Sequence, residues 1–373
     1  MPPKLVGTGL RDRLSSFFGG RDVLVTGSTG FKGSWLCRTL LHLGAKVSGY
    51  ALEPPTNPSL FDLVGLGNQM DQTVADVRDL DALRRCFERT CPYAVLHLAA
   101  QPLVIDSYRR PRHTYETNVM GTVNVLECVR SCESVRTFLN VTTDKVYENL
   151  ERPGYGYKED DKLDGFDPYS NSKSCSELVT HSYARSFFAP GALGAAAGRC
   201  AISTARAGNV IGGGDFADNR IVPDCVRAAR SGTVMTIRNP SSVRPYQHVL
   251  EPLLLYLTLV MRQDEDASLA GWYNVGPDDA DCVTTGQIVG MFADAWGDGF
   301  SFEARRVDGP HEAGLLRLDN SKAKDKLGWR PVWDVREALR RTVEWSRAWV
   351  VGGTAAASDA MDKQIDDYLE ELI

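Results

Sequence analysis

Nothing in this chain marks it for cross-linking, a metal centre or a membrane. Nine cysteines are scattered along 373 residues with no Cys-x-x-Cys pair. The nearest are Cys86 with Cys91 and Cys128 with Cys132, and no histidine cluster accompanies them. No metal is therefore expected, and free thiols in a reducing, cytoplasmic setting are the simplest account. The longest apolar run, near Leu253–Met261, is too short to span a bilayer, so no membrane partner is expected. The N-terminus carries no signal-peptide core or cleavage pattern. There is no basic excess either: 42 Lys and Arg face 48 Asp and Glu, for a net charge of −6. That balance argues against nucleic acid and leaves any anionic ligand to local arginines. No internal repeat is visible.

What is present is an ordinary globular balance, 43% hydrophobic and 24% charged, with length enough for two lobes. Val23-Leu-Val-Thr-Gly27-Ser-Thr-Gly30-Phe-Lys-Gly33 organises the chain. A short β run enters a glycine turn, and a helical pattern follows, with Trp35, Leu36, Leu40, Leu41 and Leu43 on one face. Strand, glycine turn and helix start form an anion site: N–H groups point outward, the dipole favours negative charge, and glycine admits a pyrophosphate closely. The spacing is Gly-x-x-Gly-x-x-Gly, not the commoner Gly-x-Gly-x-x-Gly, and an ordinary β-to-α turn is the alternative.

Further strands are expected at 45–52, 72–77, 93–100, 137–143 and 201–205, alternating with helices. This is an α/β Rossmann-type doubly wound parallel sheet with a smaller, mostly C-terminal substrate lobe. Residues 20–205 are assigned to the dinucleotide-binding domain, with 247–280 returning to it. Residues 206–246 and 281–350 form the second lobe, whose core its tryptophans are expected to fill. Residues 351–373 read as a linker over Val351–Ser358 and a C-terminal helix.

The second strand ends in apolar residues near Ala51 where an acid usually binds ribose hydroxyls, with Glu53 two residues on and no arginine nearby. The balance favours NAD over NADP. Asp76 is a candidate for the adenine amino group or, equally, a helix-start carboxylate. Small residues at Ala99 and Ala100 leave room for a cofactor over a strand end. His97, inside an apolar run, reads as a core histidine. Asn118 has poor helix propensity for its place, which hints at a bonding role. Asp144 and Lys145 stand at a strand's carboxyl end, where open α/β sheets bind ligands. Tyr169 and Lys173, four apart, share a helix face. Lys145 in a salt bridge with Asp144 or Glu148, and Asp144 as a turn carboxylate, are the structural alternatives.

With these segments placed, the chain resembles the extended short-chain dehydrogenase/reductases and, among them, the nucleotide-sugar 4,6-dehydratases. Thr26-Gly-Ser-Thr-Gly-Phe-Lys-Gly33, Thr143-Asp-Lys-Val-Tyr-Glu-Asn149, Asp167-Pro-Tyr-Ser-Asn-Ser-Lys173, Asn219-Arg-Ile-Val-Pro223 and Arg244-Pro-Tyr-Gln-His248 carry the resemblance. It implies a hydro-lyase that holds NAD and acts on CDP-glucose: C4 oxidation, loss of water across C5 and C6, and hydride return to C6. Tyr169 is then the base at the C4 hydroxyl, with Lys173 and the nicotinamide charge lowering its pKa, and Thr143 the hydrogen-bonding partner. Asp144 is the acid at C6. Lys145 is the base at C5, with Lys173 and NAD⁺ as like charges favouring its neutral form.

The resemblance also implies cofactor contacts at Gly27, Thr29, Gly30, Phe31, Lys32, Gly33, Asp76, Val77, Leu98, Ala99, Ala100, Asn118, Thr142, Tyr169 and Lys173. Substrate contacts are expected at Gln101, Thr143, Asn209, Arg220, Ile221, Val222, Arg244 and Asn274. Ser28 stands where relatives often have histidine. An arginine of related enzymes has no counterpart in Gly309-Pro-His-Glu312, where His311 or Arg317 are substitutes. A homodimer or homotetramer is implied. Competing readings are a nucleotide-sugar 4-epimerase, a 4,6-dehydratase for another nucleoside diphosphate sugar, and a non-catalytic NAD(H)-binding regulator.

Overall fold

The computed structural model describes residues 9–192, 194, 196–237, 239–305 and 316–372. Seven strands make the main sheet: β1 (Asp22–Thr26), β2 (Lys46–Ala51), β3 (Asp71–Val74), β4 (Ala94–His97), β5 (Thr137–Thr143), β6 (Ala201–Ala207) and β7 (Trp272–Val275). All pairings are parallel, in the order β7-β6-β5-β4-β1-β2-β3. The winding direction reverses between β1 and β4, which opens a crevice at their carboxyl ends.

Parallel strands need crossovers, and helices supply them. The helices used below are α1 (Leu10–Phe18), α2 (Phe31–His42), α3 (Leu80–Thr90), α4 (Gly121–Ser131), α5 (Pro168–Tyr183), α6 (Ile221–Ser231), α7 (Leu250–Glu265), α8 (Thr285–Trp296) and α9 (Val335–Glu371). Alternation along β1 divides its side chains between two cores. Val23 and Val25 join Leu36, Leu139 and α7 on one face, while Leu24 joins Val95, Leu126 and Phe138 on the other. The apolar run 253–261 lies in α7, buried on every side. Among the described residues no helix is long and apolar enough to cross a membrane.

A third core gathers Ile211, Val222, Ile237, Val283, Phe292 and Trp296 around α6 and α8. Three short strand pairs brace it: 210–211 with 247–248, 243–245 with 282–284, and 234–237 with 301–304. Trp296 fills this core, but Trp329, Trp333 and Trp345 pack into the main one, contrary to the expectation that the small lobe would take them. Their placement follows from α9, which runs back over the main lobe. Residues 351–358 are not a flexible linker. α9 passes through them and folds back at Gly353, which takes φ 67°, ψ −151°. Across that turn Gln364 donates to the Arg341 carbonyl at 2.8 Å and Arg341 pairs with Asp367. Met361, Ile365, Tyr368 and Leu369 are thereby buried against the main core.

Candidate active site

The glycine turn follows β1 as expected, and its three glycines differ in cause. Gly27 has φ 76°, and a Cβ there would lie 2.7 Å from the Ala99 nitrogen. A Cβ on Gly33 would stand 2.1 Å from the Gly27 carbonyl oxygen, so α2 could not start so close to the turn. Gly30 has room: its Cβ would meet nothing nearer than 3.5 Å. The protein's own packing does not demand glycine at 30, whereas a diphosphate lying over the turn does. Thr29 donates to the Leu52 carbonyl at 2.9 Å and ties the turn to the end of β2. Ser28 points inward to Gln72, at 2.8 Å. Phe31 and Lys32 open α2, and Leu98, Ala99 and Ala100 follow β4 across the crevice.

Beyond β3, Asp76 is engaged by Arg78, through the backbone N–H at 2.9 Å and the guanidinium at 2.6 Å. This pairing holds its carboxyl below the usual range. Asp79, not Asp76, caps α3. Arg78 lines the same cleft with Asp79, Glu116 and Met120, and sequence reasoning did not single it out. Val77 is buried against Gly121. His97 lies between Thr26 at 2.7 Å and Thr122 at 3.2 Å, and burial, with the Lys173 charge, drives it to about 3. It is a neutral core histidine.

Asn118 sits in a π-helical turn, Glu116–Met120, and braces the segment after β4. Its amide accepts from Gln101 N–H at 2.8 Å and donates to the Gln101 carbonyl and to Ser172. Gln101 itself is buried and bonded to Leu103 and Thr114. Asn274 is fully buried, accepting from Tyr147 at 2.6 Å and donating to the Tyr157 and Asp319 carbonyls. The side chains of Asn274 and Gln101 are thus engaged by the protein itself, which differs from the substrate contacts expected of them. Thr142 likewise faces inward and donates to Glu177.

The reactive end assembles where β5 stops. Thr143 donates to Asp144 Oδ1 at 3.0 Å and stands close enough to the Tyr169 phenol to favour its ionised form. Asp144 is 2% exposed, and among the described residues its Oδ2 has no hydrogen-bond partner. Burial raises its pKa, against the pull of Lys145, Thr143, Arg244 and Lys32. Lys145 is the middle residue of a short 3₁₀ turn, Asp144–Val146, and is half-buried. Among the described residues it forms no ion pair, and Glu148 is taken by Lys162 at 2.8 Å.

Tyr169 and Lys173 lie in the first turns of α5, whose start is fixed by Pro168 and by Asp167 accepting from Ser170 N–H at 3.0 Å. Lys173 donates to the Val141 carbonyl at 3.1 Å, and burial lowers it to about 8. Tyr169 goes the other way from the expected depression. Burial pushes it up to about 12, with Thr143 and Arg220 opposing. The positive charge that would lower it is not supplied by Lys173 alone. Lys32 comes in from α2, held at about 8 by burial and by the Arg220 and Lys173 charges. Arg220, the residue before α6, pairs with Asp215 at 2.9 Å, and Ile221 and Val222 follow it. Arg244 is buried close enough to Asp144 to pull on its charge, and Asn209 begins the segment that pairs with 247–248. His311 lies outside the described residues. Arg317 is beside Asp279, at 3.9 Å.

Three groups here escaped sequence reasoning: Tyr256, whose ring faces Lys32, and the buried pair Glu177 and Arg206. Glu177 extends the Tyr169–Lys173 periodicity by one further turn, a signal that was available.

The family model described as GDP-mannose 4,6 dehydratase matches residues 24–342. This chain belongs to that family. Within the wider set of relatives it is 44% identical to the CDP-glucose 4,6-dehydratase of Salmonella typhimurium, over 95% of this chain and 98% of that one. It is 29% identical to the dTDP-glucose 4,6-dehydratase of Streptomyces antibioticus, over 88% and 94%. Among solved structures it is similar to the UDP-glucose 4-epimerase of Thermus thermophilus in complex with NAD. The TM-score is 0.72 at 26% identity, covering 87% of this chain and 98% of that one. The chain thus joins a dehydratase family to a fold that it shares with an epimerase.

Proposed function

We propose that this protein is a hydro-lyase that converts CDP-glucose to CDP-4-dehydro-6-deoxyglucose and holds NAD throughout. One observation carries the reading: Asp144, Lys145 and Tyr169 converge beyond β5, with Asp144 buried, raised in pKa and one oxygen unpartnered. Burial of this kind favours the protonated form of a carboxyl, the form that can donate. The 44% identity to a CDP-glucose enzyme supports the substrate. The NAD-bound epimerase of the same fold supports the cofactor, as does the turn whose Gly30 the protein's own packing does not require.

NAD, when bound, supplies the hydride acceptor and donor. Gly27, Gly30 and Gly33 would cradle its diphosphate, Arg78 and Asp76 would flank the adenine, and Lys173 would reach its nicotinamide side. The chain's own groups do the proton work. Tyr169 Oη takes the proton of the C4 hydroxyl, aided by Thr143 and by the Arg220 charge. Once C4 is a ketone, the C5 proton is acidic, and Lys145 Nζ removes it. Asp144 gives its proton to the departing C6 hydroxyl, so one water leaves. Arg220 and Arg244 hold the substrate diphosphate, where guanidinium geometry suits phosphate oxygens.

The division into a main unit of residues 20–205 with 247–280 and a lobe of 206–246 with 281–350 belongs to the same reading. So does a cytoplasmic location, supported by nine free thiols. A homodimer or homotetramer is supported by the exposed apolar side chains Leu103, Ile105 and Tyr108 and by exposed Leu178 of α5.

Incubation with NAD and CDP-glucose, followed by mass analysis, tests the activity. Loss of one water is expected. An unchanged mass would turn the assignment toward a 4-epimerase, and preference for another nucleoside diphosphate in competition would correct the base.

A further inference from the structure

Tyr169, Lys173 and Glu177 occupy successive turns of α5 on one face. Glu177 is fully buried, and four donors converge on it. Thr142 donates to Oε1. Thr204 at 2.7 Å, Arg206 at 2.9 Å and His181 at 3.1 Å reach Oε2. Arg206, at the end of β6, is also fully buried. Its other terminal nitrogen donates to the Tyr147 phenol at 2.8 Å and to the Glu159 carbonyl at 2.9 Å. Tyr147 lies two residues beyond Lys145 and donates in turn to Asn274 at 2.6 Å. One continuous polar chain thus joins the helix of the C4 base to the segment of the C5 base.

We propose that Glu177 and Arg206 are positioning residues, which lock the Tyr169–Lys173 helix in register with the Asp144–Lys145 strand end and supply the countercharge of Lys173. The inference rests on the dehydratase reading for its substrate, though not for its cofactor arm.

A buried ion pair is a poor source of stability, since apolar side chains of similar volume fill such space as well or better. Its specific property is fixed geometry and fixed charge. The surroundings of Lys173 need the charge. Lys32 reaches toward it from α2, and neutral His97 stands on β4. Asp144 acts on Lys32 and Tyr169, Arg220 acts on Lys32 and Tyr169, and Tyr256 of α7 faces Tyr169. Glu177 is the acid that acts on Lys173. Arg206 and His181 keep that acid ionised: burial alone would raise Glu177, and they hold it at about 2.

Two variants separate geometry from charge. Glu177→Gln removes the anion but strands Arg206, so the double variant Glu177→Gln/Arg206→Met is made beside it and checked for folding by circular dichroism. C4 oxidation is followed as NADH absorbance after mixing the NAD-loaded enzyme with CDP-glucose across pH. An alkaline limb near 8 is expected of the wild type from Lys173 and Lys32 together, both lowered to about that value by burial. In the double variant the Lys173 part should move about 1 unit acid-ward, because Glu177, and not Arg206, is the charge that acts on it. Tyr147→Phe cuts the chain without stranding a charge. It should leave that limb in place but slow elimination, so that NADH accumulates transiently several-fold above wild type.

A folded double variant with the wild-type limb overturns the proposal, and so does a Tyr147→Phe enzyme with unchanged partition. A double variant that does not fold assigns the pair to stability and overturns it equally. If the wild type does not turn over CDP-glucose, the functional reading fails separately. The limb is then read from NAD affinity against pH by protein fluorescence, with the same expected shift.

Discussion

Two buried carboxylates stand at the same end of the sheet and are treated oppositely. Glu177, behind β5 and β6, receives four donors including a guanidinium, and sits at about 2. Asp144, in front, receives one hydroxyl on one oxygen, and burial raises it. The same residue class is thus a fixed anion in one place and an available acid in the other, and a hydrogen-bonded guanidinium decides which. If that difference is functional, groups the fold leaves available should do the chemistry, and groups it engages should act only through the geometry they fix.

The largest effect tests the first half. Tyr169→Phe removes the one hydroxyl that starts the reaction, and turnover should fall about 10²–10⁴-fold. No NADH should form on mixing with CDP-glucose, while the melting temperature stays near wild type. NADH formation by this variant would return the base role to another group. Lys145→Met should lose elimination by a similar factor yet still oxidise C4. NADH absorbance then persists and no dehydrated product appears by mass. Full turnover would remove lysine from C5 chemistry.

The glycine turn tests the contrast within a single motif. Gly33→Ala places a Cβ 2.1 Å from the Gly27 carbonyl oxygen, so it should destabilise the fold by about 1–3 kcal/mol, read as a lower melting temperature. Gly30→Ala meets nothing closer than 3.5 Å and should melt normally while NAD affinity falls, measured by titration. Equal losses of stability in both would mean that the turn is shaped by packing alone.

How much of this was legible beforehand follows the range of the physics involved. Periodicities are local, so the strands, the glycine turn and the Tyr169–Lys173 face could be read from spacing. What a polar side chain bonds to is set by segments far away in sequence. Asn274 reads as a ligand residue until Tyr147, Tyr157 and Asp319 close around it. The direction of the Tyr169 shift in the chain without cofactor is set the same way: burial is a property of the whole cleft, and it outweighs Thr143 and Arg220. Gly352-Gly353 reads as a linker, but the helices on either side find each other across Arg341, Gln364 and Asp367.

A third buried carboxylate, with donors but no cation paired to it among the described residues, gives the most separable effect. Glu251 at the start of α7 accepts from the Val332 and Trp333 N–H groups and from the Tyr368 hydroxyl. Burial raises it from 4.5 to about 7. A carboxyl raised in the folded state contributes fully below its unfolded pKa, and that contribution is lost as pH climbs through the folded value. Stability should therefore decline between about pH 4.5 and 7, by roughly 3 kcal/mol for a shift of this size. Glu251→Gln keeps an acceptor for the two N–H groups and has no proton to lose. Its melting temperature should fall less from pH 5 to pH 7.5 than the wild type's. Parallel profiles would show that hydrogen bonds alone can hold a buried carboxylate ionised, and would remove the cation from its deciding place in the contrast between Glu177 and Asp144.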